Sequence, residues 1–200
     1  RMQAKRLNAA PQEFMSKGEN PTPESLRMLR FGGVDSLRYF KSDANAELLR
    51  SLLDEPLKPD EWMPIVVRAY EILLHWGVET PLPKSAQEIR SLGLRDTDVS
   101  DEALKQVATL RNLTKLDLQN TKVTDKGLKE LAGLTKLREL GLSEAQLSDA
   151  NLRVLREIGL LHCLDQAEGR ERPESEEEIT ALLLCRSPVT DAGLRELAAL

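Results

Sequence analysis

The stretch LTKLDLQNTKVTDKGLKELAGLTK, residues 113–136, decides the fold of this chain. It matches the pattern L-x-x-L-x-L-x-x-T-x-V-T-D-x-G-L-x-x-L-A-x-L at every position. Its first half alternates inward and outward residues as a β-strand does, and its second half repeats apolar residues at helical spacing. Between them, Thr124 and Asp125 supply an N-cap oxygen and a first-turn acid. The stretch therefore predicts one short strand followed by one helix.

The same pattern recurs in three other places. Copies begin at Ile89, Leu113 and Leu137, 24 residues apart, and a fourth begins at Ile179. The copies share the Ser/Thr-Asp pair as well as the leucines, and self-similarity at this period is typical of a solenoid. One unit buries too few side chains to offset the entropy of ordering its backbone. We therefore expect the units to stack on one another.

On these residues the segment resembles the leucine-rich repeat superfamily, in the short subclass related to ribonuclease-inhibitor-like, F-box-associated and bacterial GALA-type repeats. The resemblance implies an α/β fold: a leucine-rich repeat solenoid with parallel strands on the concave face and helices on the convex face. The chain departs from many relatives where an Asn or Cys often lies, since it carries Thr97, Thr121, Ala145 and Ser187 there. We expect a side-chain ladder at this position to be interrupted, most of all at Ala145.

The chain before the repeats carries different signals. Residues 1–20 are polar and are predicted to form a disordered or loosely packed segment. Residues 21–84 contain helix signals at Thr22, over 45–55 and over 60–76, the last ended by Gly77. They are predicted to form an α-helical region that caps the solenoid.

The solenoid is predicted to span residues 85–200. Its four repeats are 89–112, 113–136, 137–160 and 179–200. The fourth starts 42 residues after the third, so residues 161–178 are predicted to be an acidic insertion. Leu161 and Leu164 still fall on leucine positions, but the third such position falls on Gln166. Two interpretations stay open, a solvated insertion or a contact loop for a basic partner.

Composition excludes several classes of partner. The 28 Lys and Arg are scattered among 33 Asp and Glu, and the net charge is -5, so the basic stripe of a nucleic-acid-binding protein is missing. No apolar run reaches the roughly 18 residues of a membrane span. The only two cysteines, Cys163 and Cys185, favour a reducing compartment. We expect a cytoplasmic protein, and because the chain starts at Arg1 a removed signal peptide stays open.

Patterns that carry chemistry are missing from the sequence. It has no C-x-x-C, H-E-x-x-H or G-x-S-x-G, and no glycine-rich phosphate loop. We therefore predict no enzyme activity, no cofactor and no metal site, and structural roles for His75, His162 and both cysteines.

The prediction for function is a non-catalytic protein–protein interaction module, a scaffold that presents its concave repeat surface to a protein partner. The alternative is the recognition arm of a larger enzyme, such as a ubiquitin-ligase adaptor or a kinase whose catalytic domain lies outside this chain. Because the last repeat ends at Leu200 without a polar cap, self-association through that edge is a further expectation. The predicted partner-binding residues are the outward ones of the strands and turns: Arg95, Lys115, Asp117, Gln119, Glu139, Ser143 and Leu183.

Overall fold

A computed structural model describes residues 37–39, 41–53, 63–78, 80, 82–83, 86–169 and 173–197. The chain divides into two compact units, residues 1–86 and 87–200. The predicted N-terminal segment and the predicted helix start at Thr22 lie outside the described residues. The predicted domain boundaries, and the role of residues 21–84 as a cap, stay predictions.

The first unit is helical where it is described. A 3-10 helix, Leu37–Tyr39, precedes helix α1, Asp43–Leu53, and helix α2, Met63–His75. The two α-helices pack against each other through apolar residues at helical spacing. The fully buried members of this core include Leu49, Leu52, Tyr70, Ile72 and Leu73.

Helix α2 ends where the sequence predicts. Gly77 has a φ of 63°, the left-handed conformation that glycine adopts without a steric penalty. Its N–H donates to the carbonyl of Leu74 at 3.0 Å, and the N–H of Val78 donates to that of Leu73 at 3.1 Å. This pair of bonds is a Schellman motif, which satisfies carbonyls that the helix end leaves open.

The second unit alternates strands and helices. Three repeats give β1, Ser91–Gly93, and α3, Asp101–Val107; β2, Lys115–Asp117, and α4, Asp125–Glu130; and β3, Glu139–Gly141, and α5, Asp149–Glu157. The remaining elements are β4, Ala167–Glu168, β5, Ala181–Leu182, and α6, Asp191–Leu197. Short 3-10 helices cover Ala86–Glu88, Leu131–Gly133, Glu144–Gln146, Leu161–Cys163 and Glu176–Glu178. None of the helices in the described part of the chain combines the length and apolar character needed to cross a membrane.

Strands β1, β2 and β3 form a parallel sheet in the register that the repeat period predicts. Leu92 pairs with Leu116, and Leu116 pairs with Leu140. Each of these leucines is at most 1% exposed. Successive helices α3, α4 and α5 pack on one another, and the leucines of the helices and of the strands are buried. The α/β fold and the parallel pairing of the first three repeats are confirmed.

The fourth copy departs from this arrangement. Its strand β5 pairs antiparallel with β4 in a separate two-stranded sheet, so the predicted fourth parallel strand is wrong. The reason is that the chain after α5 keeps the 24-residue period a little longer. Leu164 forms a parallel bridge with Leu140 and thereby takes the position beside β3. Part of the predicted insertion therefore continues the stack, and the chain turns back only after it.

The fourth copy nevertheless keeps the local geometry of a repeat. Helix α6 packs on α5. Asp96, Asn120 and Arg186 occupy the same position in the first, second and fourth copies, and all have φ between 55° and 58°. Asn and Asp tolerate this conformation well, whereas Arg adopts it less readily. The turn after the strand is thus conserved within the chain even where the strand pairing changes.

A polar side chain after each strand caps the carbonyl that follows the sheet. The hydroxyls of Thr97, Thr121 and Ser187 donate to the carbonyl three residues earlier, at 2.5, 2.8 and 2.7 Å. Ala145 lacks a hydroxyl, and here the amide Nε2 of Gln166, from the next turn of the chain, donates to the carbonyl of Leu142 at 2.8 Å. The interruption expected at Ala145 is thus bridged by a neighbouring segment.

Candidate protein-binding face

The outward side chains of the parallel sheet line up in two rows, which we call the strand face. The first row is Ser91, Lys115 and Glu139, and the second is Gly93, Asp117 and Gly141. Parallel pairing places these residues side by side, because strand neighbours in register point their side chains the same way. The backbone beneath the rows is held by the sheet, so the rows present charges at defined spacing.

An ion pair occupies the first row. Lys115 Nζ lies 2.5 Å from Glu139 Oε2, and both side chains are about half exposed. The hydrogen bond to Glu139 raises the pKa of Lys115, and the carboxylates of Asp165 and Asp117 add to the effect. Lys115 is therefore charged at neutral pH and surrounded by acids. Exposed pairs of this kind contribute little to stability.

The second row brings two carboxylates to Gly141. A Cβ added there would lie 2.8 Å from Asp117 Oδ1 and 3.3 Å from Asp165 Oδ2. Asp117 also accepts a hydrogen bond from the backbone N–H of Gln119 at 3.0 Å, which orients its carboxylate. Asp165 was missed by sequence reasoning. Its signal was present, since Asp165 follows Gly141 by 24 residues and Leu164 lies on a leucine position.

Three predicted residues lie in the turns after the strands. Arg95 is exposed and lies 3.5 Å from Asp96 in an ion pair. Gln119 is half-buried, and its carbonyl accepts the N–H of Asp96 at 2.9 Å. The backbone N–H and hydroxyl of Ser143 both donate to Gln146 Oε1, at 2.9 and 2.8 Å. Ser143 therefore has a structural part in its turn, which sequence reasoning did not anticipate.

Leu183 is separated from the other predicted residues by the pairing of β5. It follows that strand, its N–H donates to the carbonyl of Gln166 at 2.9 Å, and the residue is 49% exposed. The antiparallel sheet, not the parallel one, positions it. The structure thus brings six predicted residues to one sheet and its turns, and Leu183 to another.

The cysteines and His162 lie away from the strand face rows. Cys163 is buried, and its Sγ donates to the carbonyl of Leu137 at 3.1 Å, while His162 Nε2 lies 3.3 Å from the same sulfur. Cys185 is exposed. In the part of the chain that is described, no three His, Cys, Asp or Glu side chains are grouped so that they could hold a metal ion.

Comparison with protein families agrees with this architecture. Residues 109–132 match the leucine-rich repeat family model. This part of the chain is a leucine-rich repeat. The matched residues enclose β2 and α4, the repeat that fits the pattern at every position. No curated protein and no solved structure matches the chain.

The match to a leucine-rich repeat bears on the strand face. The rows described above belong to β1, β2 and β3, and the matched repeat supplies the central strand. A leucine-rich repeat suggests a module for protein interaction.

Proposed function

We propose that this leucine-rich repeat chain is a non-catalytic protein-interaction module, a scaffold whose protein partner contacts the strand face. The observation that carries the proposal is the exposed Lys115–Glu139 pair set in register on a parallel sheet, with Asp117 beside it. The proposal includes a curved solenoid, related to the ribonuclease-inhibitor-like and GALA-type repeats, whose concave side is the strand face. Arg95 and Gln119 extend this surface at the turns.

The charges support recognition more than stability. Complementary charges across an interface guide encounter and select partners, whereas an exposed pair within one chain adds at most about 1 kcal/mol to its stability. The strand face has one cation, Lys115, and two carboxylates, those of Asp117 and Glu139, and the carboxylate of Asp165 lies beside it. It therefore favours a partner segment that carries a positive charge toward Asp117 and tolerates the local cation at Lys115.

Charge exchange tests the proposal, and the double exchange does so without a change in net charge. A photo-crosslinking side chain at position 119 captures the partner, and the purified partner is then titrated against Lys115→Glu, Glu139→Lys and the double exchange. Each single variant is expected to weaken binding by about fivefold. The double variant restores the ion pair and the net charge, so we expect it to keep wild-type stability and still bind weakly.

The matched control is the pair formed by Lys122 and Asp98. Lys122 Nζ lies 2.6 Å from Asp98 Oδ1, and both side chains are about two-thirds exposed, but neither belongs to the strand face. The same exchange at this pair should leave affinity unchanged. Wild-type affinity in all strand-face variants, or equal weakening by the control pair, would contradict the proposed face.

A further inference from the structure

A cavity of about 540 Å³ opens where β2 and β3 begin, within residues 87–200. It is lined by Thr114, Thr135, Lys136, Leu137, Arg138, His162, Pro173 and Glu174. Leu137 and Pro173 are buried, whereas Thr135, Lys136 and Arg138 are exposed. Cavities of this size accommodate small ligands or single groups of larger ones. The feature is separate from the rows of the strand face.

The lining reverses the charge balance of the chain. Acids outnumber bases over the whole sequence, but the lining here holds two cations, Lys136 and Arg138, and one carboxylate, that of Glu174. Lys136 Nζ donates to Asn112 Oδ1 at 2.7 Å, which holds the ammonium in place and leaves two of its three protons for other acceptors. The cavity thus combines localised cationic donors with an apolar floor.

The protein itself places a carboxylate at the mouth of this cavity. Glu174 Oε1 lies 3.6 Å from Arg138 Nη2, and both side chains are more than 70% exposed. The backbone N–H of Glu174 donates to Glu178 Oε2 at 2.8 Å, so a hydrogen bond within the acidic segment fixes the backbone at Glu174. The guanidinium of Arg138 is exposed and pairs with a carboxylate of the protein, so a carboxylate or phosphate of a ligand offers it the same kind of partner.

His162 supplies a further unsatisfied group. Its Nδ1 is buried and has no hydrogen-bond partner among the described residues. Because the thiol of Cys163 donates to Leu137, Nε2 donates to the sulfur in the neutral ring, and Nδ1 is then an acceptor that a protonated oxygen of a ligand could satisfy. This observation does not depend on the ion pair at Arg138.

We propose that this cavity binds a small oxyanion, the phosphate or carboxylate group of a ligand. Lys136 and Arg138 are its cationic contacts and Thr135 contributes a hydroxyl. Glu174 is an internal competitor for Arg138, because its carboxylate offers the same chemistry from the protein side. Removal of this competitor strengthens binding, and removal of either cation weakens it.

The test titrates the full chain with inorganic phosphate and, separately, with glutarate, at fixed ionic strength and neutral pH. Binding is followed by calorimetry and by the amide resonances of residues 135–138 and 162. Arg138→Gln and Lys136→Gln are each expected to weaken binding by about fivefold, since charge-assisted hydrogen bonds are the strong ones. Glu174→Gln is expected to tighten it by about threefold.

Matched controls remove the same charges elsewhere. Lys122→Gln deletes an exposed cation outside the cavity, and Glu177→Gln deletes an exposed acid of the same segment that does not line it. Both should bind as the wild type does, and circular dichroism checks that every variant is folded. A response to phosphate or to glutarate that follows this pattern supports the site and identifies the oxyanion. Neither anion binding at about 10 mM, or a control acting as strongly as Arg138→Gln, overturns it.

Discussion

An aspartate at the start of a helix links one repeat to the next. Asp101 accepts the backbone N–H of Thr124 at 2.8 Å and its hydroxyl at 2.7 Å. Asp149 accepts the same two groups of Thr190. Each threonine in turn accepts from an N–H in the first turn of its own helix. At these two places the threonine caps its own helix, and the aspartate of the preceding repeat clamps that threonine.

The clamp explains the glycine of the repeat pattern. A Cβ at Gly127 would overlap the carboxylate of Asp101, and one at Gly193 would overlap that of Asp149. In the third repeat Asn151 takes the glycine position, and Asp125 makes no matching bond to Ser148 among the described residues. Asn151 Nδ2 donates instead to the carbonyl of Gln146 at 2.7 Å. Glycine is thus needed where an aspartate of the previous repeat approaches.

Substitution of Gly127 by alanine tests this explanation, because the clamp and helix propensity predict opposite changes in the free energy of unfolding. Helix propensity alone favours alanine by about 1 kcal/mol. We expect Gly127→Ala instead to destabilise the protein by about 1 to 3 kcal/mol, because the methyl group displaces the Asp101 carboxylate. Urea unfolding measures the difference. The control is Gly133→Ala, where the obstacle is the guanidinium of Arg111, the flexible end of an exposed side chain. A stabilised Gly127→Ala would refute the clamp.

Acid should weaken the clamp at Asp149. The hydrogen bonds from the hydroxyl and the backbone of Thr190 lower the pKa of Asp149 below its ordinary value of 3.8. A carboxylate with a lowered folded-state pKa stabilises the fold above the unfolded-state value, and this contribution is lost as the pH falls toward the folded-state pKa.

The corresponding prediction is that Thr190→Val raises the pKa of Asp149 and reduces the loss of stability between about pH 5 and pH 2. Carboxyl carbon resonances follow the titration, and urea unfolding follows the stability. Thr190→Ser keeps both hydrogen bonds and should keep the low pKa. An unchanged titration of Asp149 in the valine variant would show that the hydroxyl bond is not its cause.

The turns between strands and helices are joined by one glutamine. Gln146 Nε2 donates to the carbonyl of Leu118 at 3.1 Å and to the hydroxyl of Thr121 at 3.2 Å. Its Oε1 accepts the N–H of Asn120 at 3.1 Å and that of Ser143 at 2.9 Å. A single half-buried side chain thus satisfies backbone groups of two successive turns.

Removal of the Gln146 side chain should therefore lower the stability of the protein more than is usual for a half-buried residue. We expect Gln146→Ala to lower the free energy of unfolding by about 1 to 3 kcal/mol, because it leaves half-buried donors and acceptors without partners. Gln119→Ala is the control, since the Gln119 side chain is also half-buried but makes no hydrogen bond among the described residues. Equal effects of the two substitutions would exclude a special role for Gln146.

The periodic part of the fold was predictable, and its exceptions were not. The spacing of Leu92, Leu116 and Leu140 set the register of the sheet, because one buried face allows only one alignment. The antiparallel pairing of β5 follows from the fact that another segment, and not β5, pairs with the edge of β3. Leu164 does so through a single bridge to Leu140; its 24-residue spacing was visible in the sequence, but the pattern ends two residues later at Gln166. Asp165 was missed for the same reason, since it belonged to a segment interpreted as an insertion.

Over the whole second unit, stability should be shared between neighbouring repeats. Backbone bonds cross from each repeat to the next, as from Leu94 to Asp117 and from Leu118 to Gly141, both at 2.8 Å. The buried leucines of adjacent strands are also register partners. In such an array, the free energy of unfolding is the sum of the stability of each repeat and of the interfaces between neighbours. A substitution that destabilises one repeat therefore also destabilises the repeats beside it.

Leu118→Ala tests this coupling because Leu118 is fully buried in the central repeat. We expect a loss of about 2 to 5 kcal/mol from the cavity left behind. Hydrogen exchange should become faster around Leu94 and Leu142 as well as within residues 113–136, because both neighbours lose a stacking partner. Leu194→Ala, the same change at a leucine that is 50% exposed, should leave exchange in these strands unaltered. Faster exchange confined to residues 113–136 would mean that each repeat is stable by itself, which the small core of one strand and one helix does not allow.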